Sequence, residues 1–170
     1  MNRLFISAIL VLFTLGACNK DDGSKQQLPP LTQEGKNILA CKVNGQVHIY
    51  SGKRTTFDDN GVNYDRGIDK VRIAADNSRY NDNIEIILPY IPDSVMVGVR
   101  YYFTENEVAS GYASYYVGNG SLVYKTSNKS GFIQFNRLDE NIAAGVFEYI
   151  ACHNNDSIKI TEGRFDITNP

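Results

Sequence analysis

The chain has 170 residues, with 17 Lys and Arg against 19 Asp and Glu, and a formal net charge of -2. The length is that of one domain, and a hydrophobic content of 42% is enough to build a core, which excludes wholesale disorder. The near-neutral charge balance lacks the electrostatic signature of a nucleic-acid-binding protein.

A short basic start is followed by an apolar run at residues 4–15. This run is shorter than the roughly 20 residues of a membrane-spanning helix and fits the core of a signal peptide. The segment LGAC, ending at Cys18, then resembles a bacterial lipobox, whose Cys receives a diacylglyceryl group and becomes an acylated N-terminus after cleavage. We expect residues 1–17 to be removed and fatty acyl chains such as palmitate on Cys18 to anchor the protein to a membrane. The alternative is an ordinary secretory signal with an unrelated Cys.

The residues after Cys18 indicate the compartment. Asn19 differs from the Asp that retains lipoproteins at the inner membrane of enteric bacteria. The run Lys20-Asp21-Asp22 resembles the export signal of surface lipoproteins in the Bacteroidota, although a charge run is also an ordinary solvated tether. The expected location is the outer membrane, at the cell surface or otherwise on the periplasmic face.

Residues 19–36 have the polar composition of a linker, with one Pro pair at 29–30 that can stiffen it and pack on the domain edge. We predict a lipidated Cys and a flexible tether over residues 18–36. A single all-β domain over residues 37–170 follows.

From residue 37 onward, short β-type runs alternate with Gly and Asn turns. Two such runs flank Asn44-Gly45, which is the strongest short-range signal of a β-hairpin. Residues 69–75 and 84–88 alternate and place one set of apolar side chains inward: Val71, Ile73, Ala75, Ile84, Ile86 and Leu88. Further strands are predicted at 97–104, 111–117, 122–126, 131–136, 145–151 and 157–167.

The last strand changes parity, because Ile158 and Ile160 are even whereas Phe165 and Ile167 are odd. A bulge at Glu162-Gly163 would keep both pairs on the core face. Since no window has a sustained 3.6-residue apolar period, we predict an antiparallel β-sandwich or partly closed barrel of about nine to ten strands. Periodicity alone leaves the choice between the two architectures open.

Three stretches together resemble a family of small, uncharacterised Bacteroidota lipoproteins. They are residues 28–37 with 41–46, residues 131–147 (GFIQFNRLDENIAAGVF) and residues 158–167 (IKITEGRFDI). The resemblance covers most of residues 28–170, and it departs from the family pattern at residues 144–147, where Ala-Gly-Val-Phe replaces Ser-Gly-Thr-Phe. It implies an extracytoplasmic all-β domain and supplies no catalytic residue.

Two cysteines remain once Cys18 is lipidated. In an exported chain, Cys41 and Cys152 invite a disulfide, worth roughly 4–5 kcal/mol for a loop of this length. The alternative is two separate thiols that act as small hydrophobic groups.

No metal site, cofactor or catalytic motif is expected. His48 and His153 lack partners at metal-ligand spacing. Residues 58–65 are rich in oxygen ligands, but they fail the EF-hand pattern and are better interpreted as a solvated turn.

The densest aromatic cluster is a possible binding platform for a glycan or protein, the alternative being core filling. Its members are Tyr101, Tyr102, Tyr112, Tyr115, Tyr116 and Tyr124. Ser94 and Ser157 each follow an Asp and precede an apolar residue, which matches the short O-glycosylation sites of the Bacteroidota.

These observations favour a membrane-anchored, non-catalytic binding or interaction module, with a glycan or a surface protein as partner. The alternatives are a purely structural envelope component and, less favoured, a small hydrolase or inhibitor.

Overall fold

A computed structural model describes residues 26–54, 60–67, 69–89, 95–104, 111–118 and 120–168. The regular structure in these ranges is ten β-strands, which confirms the all-β class. The strands are β1 Ile38–Val43, β2 Gln46–Ser51, β3 Gly61–Arg66, β4 Lys70–Asn77, β5 Asp82–Pro89, β6 Arg100–Tyr102, β7 Tyr112–Val117, β8 Leu122–Leu138, β9 Ile142–His153 and β10 Asp156–Thr168. Among the described residues, no helix has the length and apolar character to cross a membrane. The predicted signal peptide, Cys18 and Ser94 lie outside these ranges.

The ten strands form one antiparallel sheet in the order β2-β1-β10-β9-β8-β7-β5-β4-β3, with β6 paired to β8 beside this path. The edge strand β3 is hydrogen-bonded to the residues that directly follow β2. Val62 N donates to Gly52 O at 2.8 Å, and Arg54 N donates to Val62 O at 3.1 Å. The sheet is therefore a nearly closed barrel, and this contact settles the choice between sandwich and barrel.

Four connections lie at the same end of the barrel. Val43 is opposite Gln46 at the β1–β2 connection, and Asp82 is opposite Val117 where β5 begins and β7 ends. The same register places the β4–β5, β7–β8 and β9–β10 connections at this end, which we call the turn end. The β8–β9 connection lies at the opposite end.

The interior is filled by alternating apolar side chains and, among the described residues, by nine buried rings, namely Tyr50, Tyr64, Phe103, Tyr115, Tyr124, Phe135, Phe147, Tyr149 and Phe165. All six side chains predicted to point inward from β4 and β5 are buried, as are Ile158, Ile160, Phe165 and Ile167. The ring centroids of Phe135 and Phe165 lie 5.5 Å apart at 81°, and edge-to-face pairs of this kind add stability beyond their buried area.

The predicted bulge in β10 is confirmed. The pairing of β10 with β9 shifts register between Ile160 and Gly163, and Glu162 has a φ of 52°. Gly163 is required at this point because a Cβ would lie 2.5 Å from the Phe147 carbonyl oxygen. The extra residue restores the parity that brings Phe165 and Ile167 into the core.

Three strand predictions need correction. Residues 61–66, which we interpreted as part of a solvated turn, form β3, and its Val62 and Tyr64 are buried. The two strands predicted at 122–126 and 131–136 are one continuous strand, β8, with an irregular register between Thr126 and Gly131. The strand predicted at 97–104 is reduced to the three residues of β6.

The segment of residues 26–36, which we call the strap, was predicted to belong to a flexible tether. Instead it is bound to the outer face of β10 through Asp166. One oxygen of Asp166 accepts hydrogen bonds from Thr32 Oγ1 at 2.5 Å and Glu34 N at 3.1 Å, and the other accepts one from Gly35 N at 2.7 Å. Burial by itself raises the pKa of Asp166, but these hydrogen bonds outweigh it and hold that pKa below its usual value.

Two arginines extend this attachment along the barrel. Arg137 Nη1 donates to Gln33 O at 2.7 Å, and Arg164 Nη1 donates to Pro29 O at 2.9 Å. The strap therefore runs along β10 from Thr168 toward Glu162. The predicted packing of the Pro pair on the domain edge is confirmed at Pro29, and the flexible-tether prediction is wrong for residues 32–35.

Candidate functional site

A polar depression of about 500 Å³ opens at the turn end, between the ends of β4, β5 and β7. The residues that line it are Arg54, Asn60, Asp76, Asn77, Ser78, Asn81, Asp82, Asn83, Tyr116 and Gly120. Small-molecule pockets are usually apolar with few polar groups, so this lining is suited to a ligand that is itself polar.

Asp76 is the central charged group of the wall. One of its oxygens accepts from Arg54 Nη1 at 2.6 Å, and the other accepts from Asn83 Nδ2 at 2.6 Å. The second amide atom, Asn83 Oδ1, is buried and has no hydrogen-bond partner among the described residues. A buried acceptor without a donor costs about 1–3 kcal/mol.

Tyr116 forms the aromatic part of the rim. Its hydroxyl donates to Glu85 Oε2 at 2.8 Å, and Glu85 Oε1 pairs with Arg72 Nε at 2.5 Å. Burial, followed by the hydrogen bond to Glu85, raises the pKa of Tyr116 to about 12. The ring is thus held in place and its hydroxyl stays protonated.

A buried carboxylate, Asp82, lies beneath the depression and is 7% exposed. Tyr50 donates to its Oδ1 at 2.9 Å, the Tyr115 hydroxyl donates to Oδ2, and His48 Nδ1 is 2.9 Å from Oδ2. Three partners satisfy this carboxylate, as a buried charge requires.

The barrel topology assembles this cluster. His48 and Tyr50 alternate on the inner face of β2, while Asp82 begins β5 and Tyr115 lies on β7. Tyr80, in the β4–β5 connection, stacks on His48 with ring centroids 4.2 Å apart. The cluster therefore spans the gap between the two edges of the sheet.

Side chains also replace part of the strand pairing at that gap. Ile49 N donates to the Tyr80 hydroxyl at 3.4 Å, and Asn77 Nδ2 donates to Ile49 O at 3.1 Å. These contacts cover backbone groups of the edge strand β2 that would otherwise be open to another chain.

The two tyrosine hydroxyls of the cluster are held neutral. Burial first, together with Asp82, raises the pKa of both Tyr50 and Tyr115 well above the usual value. Both groups therefore remain donors to Asp82 throughout the physiological range.

Cys41 lies directly opposite His48 in the β1–β2 pair, so Cys, His and Asp come together as in some nucleophilic enzymes. Burial first and the charge of Asp82 second raise the pKa of the Cys41 thiol. A catalytic thiol requires the opposite shift, since the thiolate is the nucleophile. This arrangement suits a structural thiol.

The predicted disulfide between Cys41 and Cys152 is wrong, because both cysteines are free. Strand β10 lies between β1 and β9, and Cys41 faces the interior whereas Cys152 is on the exposed face. A strand between two residues separates them by roughly 9–10 Å, beyond the reach of a disulfide.

We expect native, non-reduced protein to react with iodoacetamide at Cys152 within minutes and at Cys41 only after unfolding, because only Cys152 is exposed. Intact-mass and peptide analysis before and after urea gives the result. Rapid alkylation of Cys41 in the folded protein would contradict the structural role of this thiol. An absence of alkylation at both sites in urea would restore the disulfide.

The six tyrosines of the predicted platform do not form one surface. Tyr115 and Tyr124 are cross-strand partners on the inner face and are buried. Tyr112 and Tyr116 are half-buried on the outer face of β7, and Lys125 Nζ lies 5.9 Å from the Tyr112 ring centroid. The platform prediction is wrong because neighbouring residues of a strand point to opposite faces.

The other two tyrosines lie on β6. Tyr101 packs against the core, and its hydroxyl accepts from Met96 N at 2.7 Å. Tyr102 is 55% exposed and packs edge-on against Phe132. Of the six tyrosines, Tyr116 alone is among the residues that line the depression.

Ser157 is exposed where β10 begins, which is compatible with the predicted glycosylation. His153 Nδ1 lies 2.9 Å from Val123 O. No cluster of three potential metal ligands occurs among the described residues. Part of the oxygen-rich segment considered for Ca²⁺, residues 58 and 59, lies outside them.

The sequence analysis missed Asp82, Asp76 and Asn83 as site residues. The available signal was the polar cluster NSRYNDN at 77–83 between two strongly alternating strands. Such a cluster is hard to distinguish from an ordinary turn, because turns are polar in most proteins.

Comparison with known proteins finds no match of this chain to a family model, to a curated protein or to a solved structure. The function therefore has to be inferred from the geometry and from the residues of the chain itself.

Proposed function

We propose that this protein is an extracytoplasmic lipoprotein, anchored through Cys18, whose barrel is a non-catalytic binding module for a saccharide or a similarly hydroxylated ligand. The observation that carries the proposal is the lining of the depression. It combines amides, two carboxylates, a guanidinium and one aromatic ring at the rim.

Saccharide chemistry fits this lining. Each sugar hydroxyl is both a donor and an acceptor, and so matches a wall in which Asn and Asp accept while Asn and Arg donate. The Asn83 amide and the Arg54 guanidinium line the depression, and the Tyr116 ring offers an apolar edge for the C–H face of a sugar.

A non-catalytic role is supported by the buried cluster beneath the depression. Asp82 already has three partners, and burial raises the pKa of the Cys41 thiol. These groups stabilise the floor of the site, and within this cluster neither Asp82 nor Cys41 is poised as the base or the nucleophile of a hydrolase.

The test is a binding screen against immobilised envelope and host glycans, followed by titration calorimetry with the wild type and Asn83→Ala. We expect Asn83→Ala to weaken binding about tenfold, since it removes a hydrogen-bonding amide from the wall. Asn155→Ala, in the exposed β9–β10 connection, is the matched control and should bind as the wild type does. The absence of glycan binding, or equal binding by Asn83→Ala, would overturn the assignment.

A further inference from the structure

The strap changes which end of the barrel is connected to the N-terminal tether. Strand β1 begins at Ile38, opposite Asp166 and close to the β8–β9 connection, at the end away from the depression. A tether that ended at Ile38 would hold the barrel by that far end.

The strap instead carries the chain back along β10 to the turn end. A Cβ on Gly35 would lie 2.7 Å from Thr168, Pro29 bonds to Arg164, and residues 26–28 lie beside Lys42, Gly45 and Glu162. The chain thus passes from the end of β10 to the β1–β2 connection in ten residues. Residue 26 is located at the turn end.

We propose that the strap holds the turn end toward the membrane that carries the acylated Cys18, so that the depression opens into the layer next to the lipid headgroups. This inference rests on the lipid anchor of the proposed function. Seven residues, 19–25, separate Cys18 from Gln26, and the eight steps from Cys18 to Gln26 span at most about 29 Å. The far end lies a further barrel length away.

The composition of the turn end is compatible with this orientation. The connections there carry the neutral polar residues Asn44, Asn81, Asn154 and Asn155, with one exposed cation, Arg79, and one exposed carboxylate beside them, Asp156. They form neither an acidic surface that anionic headgroups would repel nor an apolar surface that would insert. The strap and the short tether determine that the turn end faces the membrane, and the composition of the turn end does not oppose this orientation.

The test uses the acylated protein from its native host, reconstituted in vesicles with a headgroup-labelled acceptor lipid. A donor dye is attached at Cys152, which is exposed at the turn end, or at a cysteine introduced as Asn141→Cys in a Cys152→Ser background, at the opposite end. Cys41 is buried and Cys18 is acylated, so each protein carries one dye. We expect energy transfer to the lipid to be several-fold larger from position 152 than from position 141.

A second pair of variants tests the strap itself. Arg137→Ala combined with Arg164→Ala removes both side-chain bonds to the strap carbonyls and leaves Asp166 in place. We expect this variant to reduce the difference between the two dye positions, because the chain before Thr32 is then released while Asp166 still holds residues 32–35 near the far end. Arg72→Ala, on the outer face of β4, is the control and should retain the difference.

The outcomes separate the two proposals. Acyl labelling that persists in Cys18→Ala, or protein that does not associate with vesicles, overturns the lipid anchor and with it the orientation. Acylation with equal transfer from both positions, or with larger transfer from position 141, overturns the orientation alone. A difference that survives release of the strap shows that something other than the strap sets it.

Discussion

Replacing Asp82 with alanine is expected to destabilise the barrel by about 3–5 kcal/mol, the usual cost of breaking a buried, hydrogen-bonded charge arrangement. The variant leaves the Tyr50 and Tyr115 hydroxyls and His48 without their shared acceptor at the gap between the sheet edges. Urea unfolding followed by far-ultraviolet circular dichroism measures the change. The far ultraviolet is appropriate because the chain contains no Trp.

Two further variants define what the Asp82 result means. Asp82→Asn keeps one acceptor oxygen but turns an NH₂ group toward donors. We therefore expect its free energy of unfolding to lie between those of the wild type and Asp82→Ala. Asp156→Ala is the matched control. Asp156 also accepts from a tyrosine hydroxyl, Tyr124 at 2.8 Å, but it is exposed, and we expect a loss below about 1 kcal/mol. Equal losses of unfolding free energy from Asp82→Ala and Asp156→Ala would show that the buried cluster does not stabilise the gap between the sheet edges.

Gly145→Ala is expected to cost about 3 kcal/mol, which is high for the addition of one methyl group. Gly145 lies opposite Phe165 on one side and Phe135 on the other. A Cβ there would be 2.1 Å from Gln134 O, a backbone atom that cannot rotate away, and 2.8 Å from Phe165 Cζ. The absence of a side chain at Gly145 is what allows the two rings to meet across the strand.

The control for Gly145→Ala is Gly67→Ala. Its Cβ would meet nothing closer than Lys70 O at 3.5 Å, and we expect it to be neutral or to stabilise by up to about 1 kcal/mol. Thermal unfolding of both variants checks the pair. Similar melting temperatures for the two proteins would contradict the packing proposed around Gly145.

The face that each strand buries could be predicted where alternation is strict. Val71, Ile73 and Ala75 face inward because a period of two leaves one apolar face. The bulge at Glu162-Gly163 was predictable for the same reason, since the apolar parity changes there and Gly can occupy the crowded position. In contrast, β3 was missed because its apolar pattern is limited to Val62 and Tyr64 after a polar turn.

The candidate site could not be predicted to the same extent. Asp82 and His48 are 34 positions apart, and Tyr115 is 33 positions beyond Asp82. Asp166 is more than 130 positions from the strap residues that it binds. Local patterns carry no information about such pairs, because strand order and barrel closure decide which strands face one another.

The sequence by itself determined that this chain folds as β-strands, which side chains of β4, β5 and β10 face the core, where the last strand bulges and that Cys18 is the expected anchor. These properties follow from alternation, turn residues and a contiguous motif, all of which act over a few neighbouring residues. The tertiary structure alone decided that the sheet closes, that the two remaining cysteines are apart, that the tyrosines divide between two faces and that Asp166 binds the strap. Each of these depends on which strand lies beside which, and only the closed hydrogen-bonded sheet sets that.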